Sequence, residues 1–332
     1  MEMDRVPFEI WATISSHACT DSGSTGRNLS LVSRLIRDAS APVKLQSIAA
    51  HGTEQLVALH KLLLTTPAHL RHTRSLLLSE KPLGADSAPV IQWPEQDAEW
   101  RRDAERRRKA CRGILVQVQE FVEILDIDMS NSLDDLAWTT SFPRLEELTS
   151  DGFPLIPQIP KESDVLYEFG FPLPDSIEIT FQWPHLRRWH LTRFPYMWGG
   201  CSVFGTIPIV APAITHLRFS SLQHEASFCW DLETALGLAT QESGNTSLLP
   251  STIQQVYVKL APPPPNDGWY GTGPIAYKGL VDGLENLRNI SSQVVLLGVA
   301  EPERCISTLA DWEDRVAGGE GCWSLRGVAR RL

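Results

Sequence analysis

The sequence predicts a mixed α/β chain, with short helices at the N-terminus leading into a body of parallel strands. Three observations carry that expectation. The first forty-odd residues place apolar side chains at helical spacing. Further along, short apolar segments of strand length recur between irregular loops and occasional helices. Those segments also share one grammar, apolar-x-x-apolar-x-apolar, often introduced by proline.

Composition bounds the function classes. A chain of 332 residues accommodates one extended domain or two compact ones. Hydrophobic content of 42% with 21% charged residues is ordinary for a globular protein. A net charge of −10 argues against non-specific nucleic-acid binding, which needs a basic footprint. The opening MEMDRVPFEIW carries charges and no apolar core of a signal peptide, and no stretch reaches membrane-span length. Cys19, Cys111, Cys201, Cys229, Cys305 and Cys322 lie far apart without CxxC pairs and read as reduced, mostly buried thiols. The expected location is therefore the cytoplasm and/or nucleus, where the sequons at Asn28, Asn245 and Asn289 carry no meaning.

The first helix is expected from Pro7 to about Ala18, because proline suits the first helical position and Glu9 favours the positive end of the dipole. Ile10, Ile14 and Ala18, with Phe8 and Trp11 beside them, give it a broad apolar stripe. Cys19 to Asn28 reads as a small polar loop, with Asn28 as the N-cap of a second helix. That helix places Leu31, Val32, Leu35, Ile36 and Ala39 on one face and stops before Pro42. A third helix runs from about Thr53 to Leu64, with Leu56, Leu59 and Leu63 inward. A fourth follows Pro94, with Trp100, Ala104, Cys111, Leu115 and Val118 on its buried side. Its RRRK run, Arg106 to Lys109, reads as a solvated helix face rather than a localisation signal. The run Pro262 to Pro265 and the Gly-rich sequence after it read as a surface connector.

The repeated grammar is written Val122-x-x-Leu125-x-Ile127, Leu186-x-x-Trp189-x-Leu191, Ile214-x-x-Leu217-x-Phe219 and Ile253-x-x-Val256-x-Val258. Shorter versions are Thr73-x-x-Leu76-x-Leu78 and Leu145-x-x-Leu148. Pro143, Pro184 and Pro212 stand two residues ahead of a first position, and Pro250 three ahead. Each unit reads as a chain that enters at a bend and then runs as a short strand with alternate residues buried. One such unit cannot cover its own apolar edge, so neighbours stack in a parallel sheet.

This pattern resembles the strand half of a leucine-rich repeat, although the family's later asparagine or cysteine is absent and the spacings of 49, 23, 41, 28 and 39 residues are irregular. Val6-Pro7-Phe8-Glu9-Ile10-Trp11 resembles the L-P-x-E-I opening of an F-box, and Leu29-Ser30-Leu31-Val32-Ser33-Arg34 its later L-x-x-V-S-R portion. Val6 stands where that family has leucine, and Ile36 where an aromatic is frequent. The combination is similar to F-box proteins common in mushroom-forming fungi, as are Trp312-Glu313-Asp314-Arg315-Val316 and Gly321-Cys322-Trp323 near the C-terminus. The resemblance implies an F-box-like helical bundle over residues 1–46 and a degenerate leucine-rich-repeat-like solenoid over 47–332. It also implies docking on the Skp adaptor, and through it on a cullin scaffold, by Val6, Pro7, Phe8, Ile10, Trp11, Ile14, Leu29, Leu31, Val32 and Leu35. The expected function is substrate recognition in a ubiquitin ligase of the SCF type, through protein–protein interaction. The alternative is an interaction scaffold whose N-terminal helices are only a cap.

No chemistry competes with that expectation. The sequence holds neither G-x-x-x-x-G-K-[ST] nor G-x-S-x-G. His17-x-Cys19 and His69-x-x-His72 lack a second pair at zinc spacing, and Asp134-Asp135 and Glu146-Glu147 read as solvated acids. The chain is expected to be no enzyme and to hold no cofactor or metal. Its partners are the adaptor and an unknown target protein, with no nucleic acid and no membrane. If the repeat positions point inward, their neighbours line the open face of the sheet. Those are Asp126, Asp128, Glu147 and Asp151 early, then Arg188, His190, His216, Arg218 and Lys259, an acidic-to-basic surface expected to receive the target.

Overall fold

The computed structural model describes residues 6–83, 98–129, 141–151, 183–192, 203–222, 227–239, 249–264, 272–299 and 309–325. Pro94, Asp134, Asp135, Cys201, Asn245, Cys305 and most of the Gly-rich sequence after the proline run lie outside them. The described residues form the expected mixed α/β class, with parallel strands separated by helices. They fall into two compact units. The first contains α1 (Phe8–Ala18), α2 (Ser24–Val32), α3 (Arg34–Ser40), β1 (Ser47–His51), α4 (Gly52–Thr65), β2 (Ser75–Ser79), α5 (Ala98–Val118) and β3 (Ile124–Asp128). The second contains β4 (Glu147–Ser150), β5 (Arg188–Leu191), α6 (Val203–Val210), β6 (His216–Leu222), α7 (Phe228–Ala235), β7 (Gln255–Leu260), α8 (Thr272–Ile290) and β8 (Val294–Leu297). The last helix, α9 (Leu309–Val316), belongs to the first unit.

Strands pair in chain order and all in parallel, β1–β2–β3 in the first unit and β4–β5–β6–β7–β8 in the second. The repeated grammar sets their register. Leu76 stands opposite Leu125 and Leu78 opposite Ile127; Trp189 stands opposite Leu217, Leu217 opposite Val256, and Phe219 opposite Val258. All of these side chains are buried, as are the first positions Thr73, Val122, Leu145, Leu186, Ile214 and Ile253. A fully buried Leu or Val contributes about 1.5–3 kcal/mol, so each unit of the grammar supplies several kcal/mol toward ordering its strand. Two further strands obey the same rule and were not expected. Leu45, Ile48 and Ala50 form β1's unit, Ser291, Val294 and Leu296 form β8's, and all six are buried.

The bend before each strand has a defined hydrogen-bond logic. Leu145 N–H donates to the Phe142 carbonyl, Leu186 to Trp183 and Ile214 to Ala211, which places Pro143, Pro184 and Pro212 second in a turn, where their fixed φ fits. Two successive N–H groups then converge on one carbonyl of the preceding repeat. Arg74 and Ser75 donate to Gln46, Arg187 and Arg188 to Glu146, Thr215 and His216 to Arg187, and Gln254 and Gln255 to Thr215.

The shortened repeat at Leu145 has a physical reason. Its third position is Ser150, whose Oγ accepts the indole N–H of Trp189 from the neighbouring strand at 3.1 Å. Trp183 meets Trp189 edge-on at 5.6 Å, and Phe204, Phe219 and Phe228 form a second aromatic cluster joining α6, β6 and α7.

The N-terminal helices depart from expectation at two points. The polar loop is shorter, because α2 begins at Ser24 and Asn28 lies inside it rather than at its N-cap. Asp21 takes the capping role, accepting from the backbone of Gly23 and Thr25 and from the hydroxyls of Ser24 and Thr25. Burial opposes its ionisation, but these hydrogen bonds outweigh that and hold its carboxyl below the ordinary range. The expected second helix is also broken at Ser33, whose extended backbone (φ −160°) ends α2 while its hydroxyl caps α3 at Ile36. The break sends Ile36 and Ala39 inward and leaves Leu31 and Val32 facing solvent.

The helices and β1 are joined through Gln46, whose side-chain amide donates to the Ser16 and Cys19 carbonyls. Ala49 N–H donates to Ser22, and the Ser47 hydroxyl to Asp21. α4 matches its expected span, with Leu56, Leu59 and Leu63 buried. In α5 the RRRK run is helical, with Arg107 buried and bonded to Asp103 and Thr53, whereas Trp100, expected inward, is partly exposed. The W-E-D-R-V and G-C-W motifs form one unit: Asp314 accepts from Gly321 N–H at 2.8 Å, Arg315 donates to the Gly319 carbonyl, and Gly321 turns with φ 53°.

Two stability predictions follow from close contacts. A Cβ on Gly26 would stand 2.3 Å from the Lys44 carbonyl oxygen. Gly26→Ala should therefore cost about 1–3 kcal/mol in urea unfolding, through forced displacement of the turn that leads into β1. Ser150→Ala leaves the buried Trp189 indole without its acceptor and should cost about 1–3 kcal/mol, with Ser150→Thr recovering part of it. Wild-type stability in the Ala variant would show that the indole has another acceptor.

Candidate functional site

The residues expected to grip an adaptor lie on α1 to α3, apart from Val6 and Pro7 just before α1, and the three helices pack on one another. Only Ser15 of α1, Gly26 of α2, and Ile36, Ala39 and Ser40 of α3 are fully buried. The apolar side chains remain outside: Phe8 is 45% exposed, Ile10 49%, Ile14 48%, Val32 56% and Leu31 74%. Pro7 is also exposed, while Val6, Trp11, Leu29 and Leu35 are half-buried. A helix in a globular protein ordinarily turns its apolar stripe to the core; here α1 turns much of it outward.

Within each unit the residues expected on the open sheet face lie on one face of its strands but are not uniformly solvated. In the first unit Asp126 is buried and Asp128 half-buried. Asp128 accepts from the Ser79 hydroxyl at 3.1 Å and pairs with Lys81 at 3.5 Å. His51, Ser79 and Asp128 form one row at the C-terminal ends of β1, β2 and β3, a juxtaposition given by register that no sequence spacing reveals. In this row His51 Nε2 and Asp128 Oδ1 are buried and have no hydrogen-bond partner among the described residues.

In the second unit Glu147, His190 and Arg218 are buried, and Arg188, His216 and Lys259 are half-buried, with Asp151 half-buried beside them. Glu147 and Arg188 pair across neighbouring strands at 3.3 Å. His216 lies parallel to the Tyr257 ring at 6.2 Å. Ser220, two residues after Arg218 on the same face, lies 2.9 Å from His190 Nε2 and accepts from Arg218 Nε at 3.4 Å. Period-two alternation would have found Ser220. The bulge that follows would not have been found: Ser221 takes a left-handed backbone (φ 62°), and the β6–β7 register shifts there. Ser220 itself is buried, so its contact with His190 does not present a hydroxyl to solvent.

Electrostatics follow burial. Burial first, then Arg218 and Lys259, hold His190 well below its ordinary pKa. His216 is lowered by burial and by Arg188, against the opposing pull of Glu147. Burial raises the Cys111 thiol to about 12 and, with Glu233, the Cys229 thiol to about 11, so neither is a ready nucleophile. Among the described residues no group of three His, Cys, Asp or Glu side chains is placed to hold a metal ion, and no helix is long and apolar enough to cross a membrane. No family model, no curated protein and no solved structure matches the chain.

A pH dependence of stability follows from the buried imidazoles. Unfolded histidines protonate near 6.5, whereas folded His190 and His216 do so only at lower pH. Between the two values the unfolded chain binds more protons, so stability is fully present above about pH 6.5 and is lost as pH falls through the folded values. His190→Gln should make that loss shallower in urea unfolding across about pH 7.5 to 5. An unchanged slope would mean that His190 protonates in the folded chain as readily as in the unfolded one.

Proposed function

We propose that the chain is the substrate-recognition subunit of an SCF-type cullin–RING ubiquitin ligase, a non-enzymatic receptor working in the cytoplasm and/or nucleus. The observation that carries this reading is the set of outward apolar side chains on α1 and α2, Phe8, Ile10, Ile14, Leu31 and Val32. Phe8, Ile10, Leu31 and Val32 belong to the two stretches that resemble the F-box, Ile14 follows one turn after the first of them, and exposed apolar side chains grouped in this way mark a partner site. The Skp adaptor, and through it the cullin scaffold, is the partner that the resemblance supplies. Parallel strands built on the grammar of a leucine-rich repeat supply the body, and the half-buried Asp128, Arg188 and Lys259 are its accessible charges for a target protein, with the half-buried imidazole of His216 as a neutral polar group.

A second reading, an interaction scaffold whose N-terminal helices are a cap, has its own observation. Ser22 accepts the Ala49 N–H of β1, so residues between α1 and α2 cover a strand edge that would otherwise be open. That contact uses the inner side of the helices and leaves the outer apolar side unexplained, which favours the ligase reading.

The test exploits this separation of sides. Pro7→Ala with Ile10→Asp places a charge on the outer face without touching Gln46, Asp21 or Ser22. Binding to purified Skp adaptor should fall at least about tenfold while the circular dichroism and urea midpoint stay those of the wild type. Wild-type chain that fails to retain the adaptor, or a double variant that retains it equally, would leave the cap reading in its place.

A further inference from the structure

Helix α5 concentrates positive charge in an acidic chain. Its 21 residues hold seven basic and three acidic side chains, a balance of +4 that leaves −14 for the remainder of a chain of net charge −10. Helical spacing sorts these charges. Ala104, Arg107, Cys111, Ile114, Leu115 and Val118 are buried on one side of the helix, and Arg107 is neutralised there by Asp103, with Glu80 at 4.0 Å. Arg101, Arg102, Arg106, Lys109 and Arg112 are exposed and Arg108 half-buried. They form two adjacent rows, Arg101–Arg108–Arg112 and Arg102–Arg106–Lys109, at spacings of three, four and seven residues. The rows extend over roughly 16 Å of helix at about 1.5 Å per residue.

We propose that this face docks an acidic segment of a partner protein. Folding alone does not account for the arrangement. Arg102 with Arg106, and Arg108 with Arg112, are like charges four apart, which weakens a helix by about 0.2–0.5 kcal/mol per pair. Glu54 and Asp103 take Arg106, and Glu105 takes Arg108, but Arg101 and Lys109 have no ion-pair partner among the described residues. Guanidinium forks pair carboxylates with two parallel hydrogen bonds, which suits a run of Asp and Glu. Net charge selects the kind of anion. A nucleic acid or an anionic lipid surface extends well past the Debye length of about 8 Å and meets the field of the acidic remainder, whereas a segment matched to this face senses mainly the helix. The proposal uses no residue of α1 to α3 and stands or falls independently of adaptor binding.

The test is fluorescence anisotropy of the full chain with a fluorescein-labelled peptide of about fifteen glutamates, at low and at physiological salt. Parallel titrations use an oligothymidylate of the same length and phosphatidylserine-containing vesicles. The peptide should bind saturably and more weakly as salt rises. The Arg101→Glu, Arg102→Glu, Lys109→Glu, Arg112→Glu variant should lose at least about tenfold in affinity with unchanged circular dichroism. Should four changes disturb the fold, Arg101→Glu with Lys109→Glu carries the same test with a smaller loss. Lys278→Glu with Arg288→Glu on α8 should bind as wild type. Absence of peptide binding at low salt, equal binding by the charge-reversed helix, or tighter binding of the oligonucleotide or vesicles would overturn the proposal.

Discussion

Everything in this molecule depends on the parallel register. A parallel strand cannot complete its hydrogen bonds within its own repeat, so it must align with the previous strand residue for residue, and the apolar positions must align with it. The paired N–H groups of Arg187 and Arg188 on Glu146, and of Thr215 and His216 on Arg187, fix the alignment at the start of the strand. Burial of Trp189, Leu217 and Val256 fixes it two residues later. A one-residue slip would move Trp189 to the charged face and Arg188 or His190 into the core, so backbone and side chains enforce the same answer. The helices that cross between strands can then vary in length, which is why the repeats are irregular in spacing and regular in pairing.

How far this was legible in the sequence depended on what stood at the three positions. Val122, Leu125 and Ile127 announce a strand because all three are large and apolar. β1 escaped notice because its third position is Ala50, and β8 because its first is Ser291; the register required only that these residues be small enough to bury. Ser150 looked like a defect in its repeat, yet it answers the indole of a residue 39 positions away, and no local pattern encodes such a partner. The first helix was legible from its apolar spacing, whereas the break at Ser33 was not, since Leu31 to Ala39 reads as one continuous stripe until a serine hydroxyl caps the new turn.

The candidate surfaces were legible to different degrees for the same reason. Alternation places Asp126, Glu147, His190 and Arg218 on the non-core face, and the structure agrees, but alternation does not say whether that face is wet. In the second unit Glu147 bonds to Arg188, and His190 and Arg218 meet at Ser220; Asp126 is buried in the first unit, and access narrows in each to the half-buried neighbours. On α1 and α2 the reverse holds. The apolar residues that a core-facing stripe would hide are the ones left outside, and only packing distinguishes a stripe for the core from a stripe for a partner.

Strand order that follows chain order has a consequence for synthesis. Within each unit every described strand after the first pairs with the described strand before it in the chain, and β1's partner, the carbonyl of Ser22, precedes β1 itself. Within a unit, the described strands therefore need no distant C-terminal segment to pair with the strand before them, and the growing edge of the sheet advances with elongation. Parallel sheets are ordinarily slow to form and vulnerable to aggregation because their pairings are non-local. Here each new strand extends the edge left by the one before it, so the pairings are as local in the chain as a parallel sheet allows.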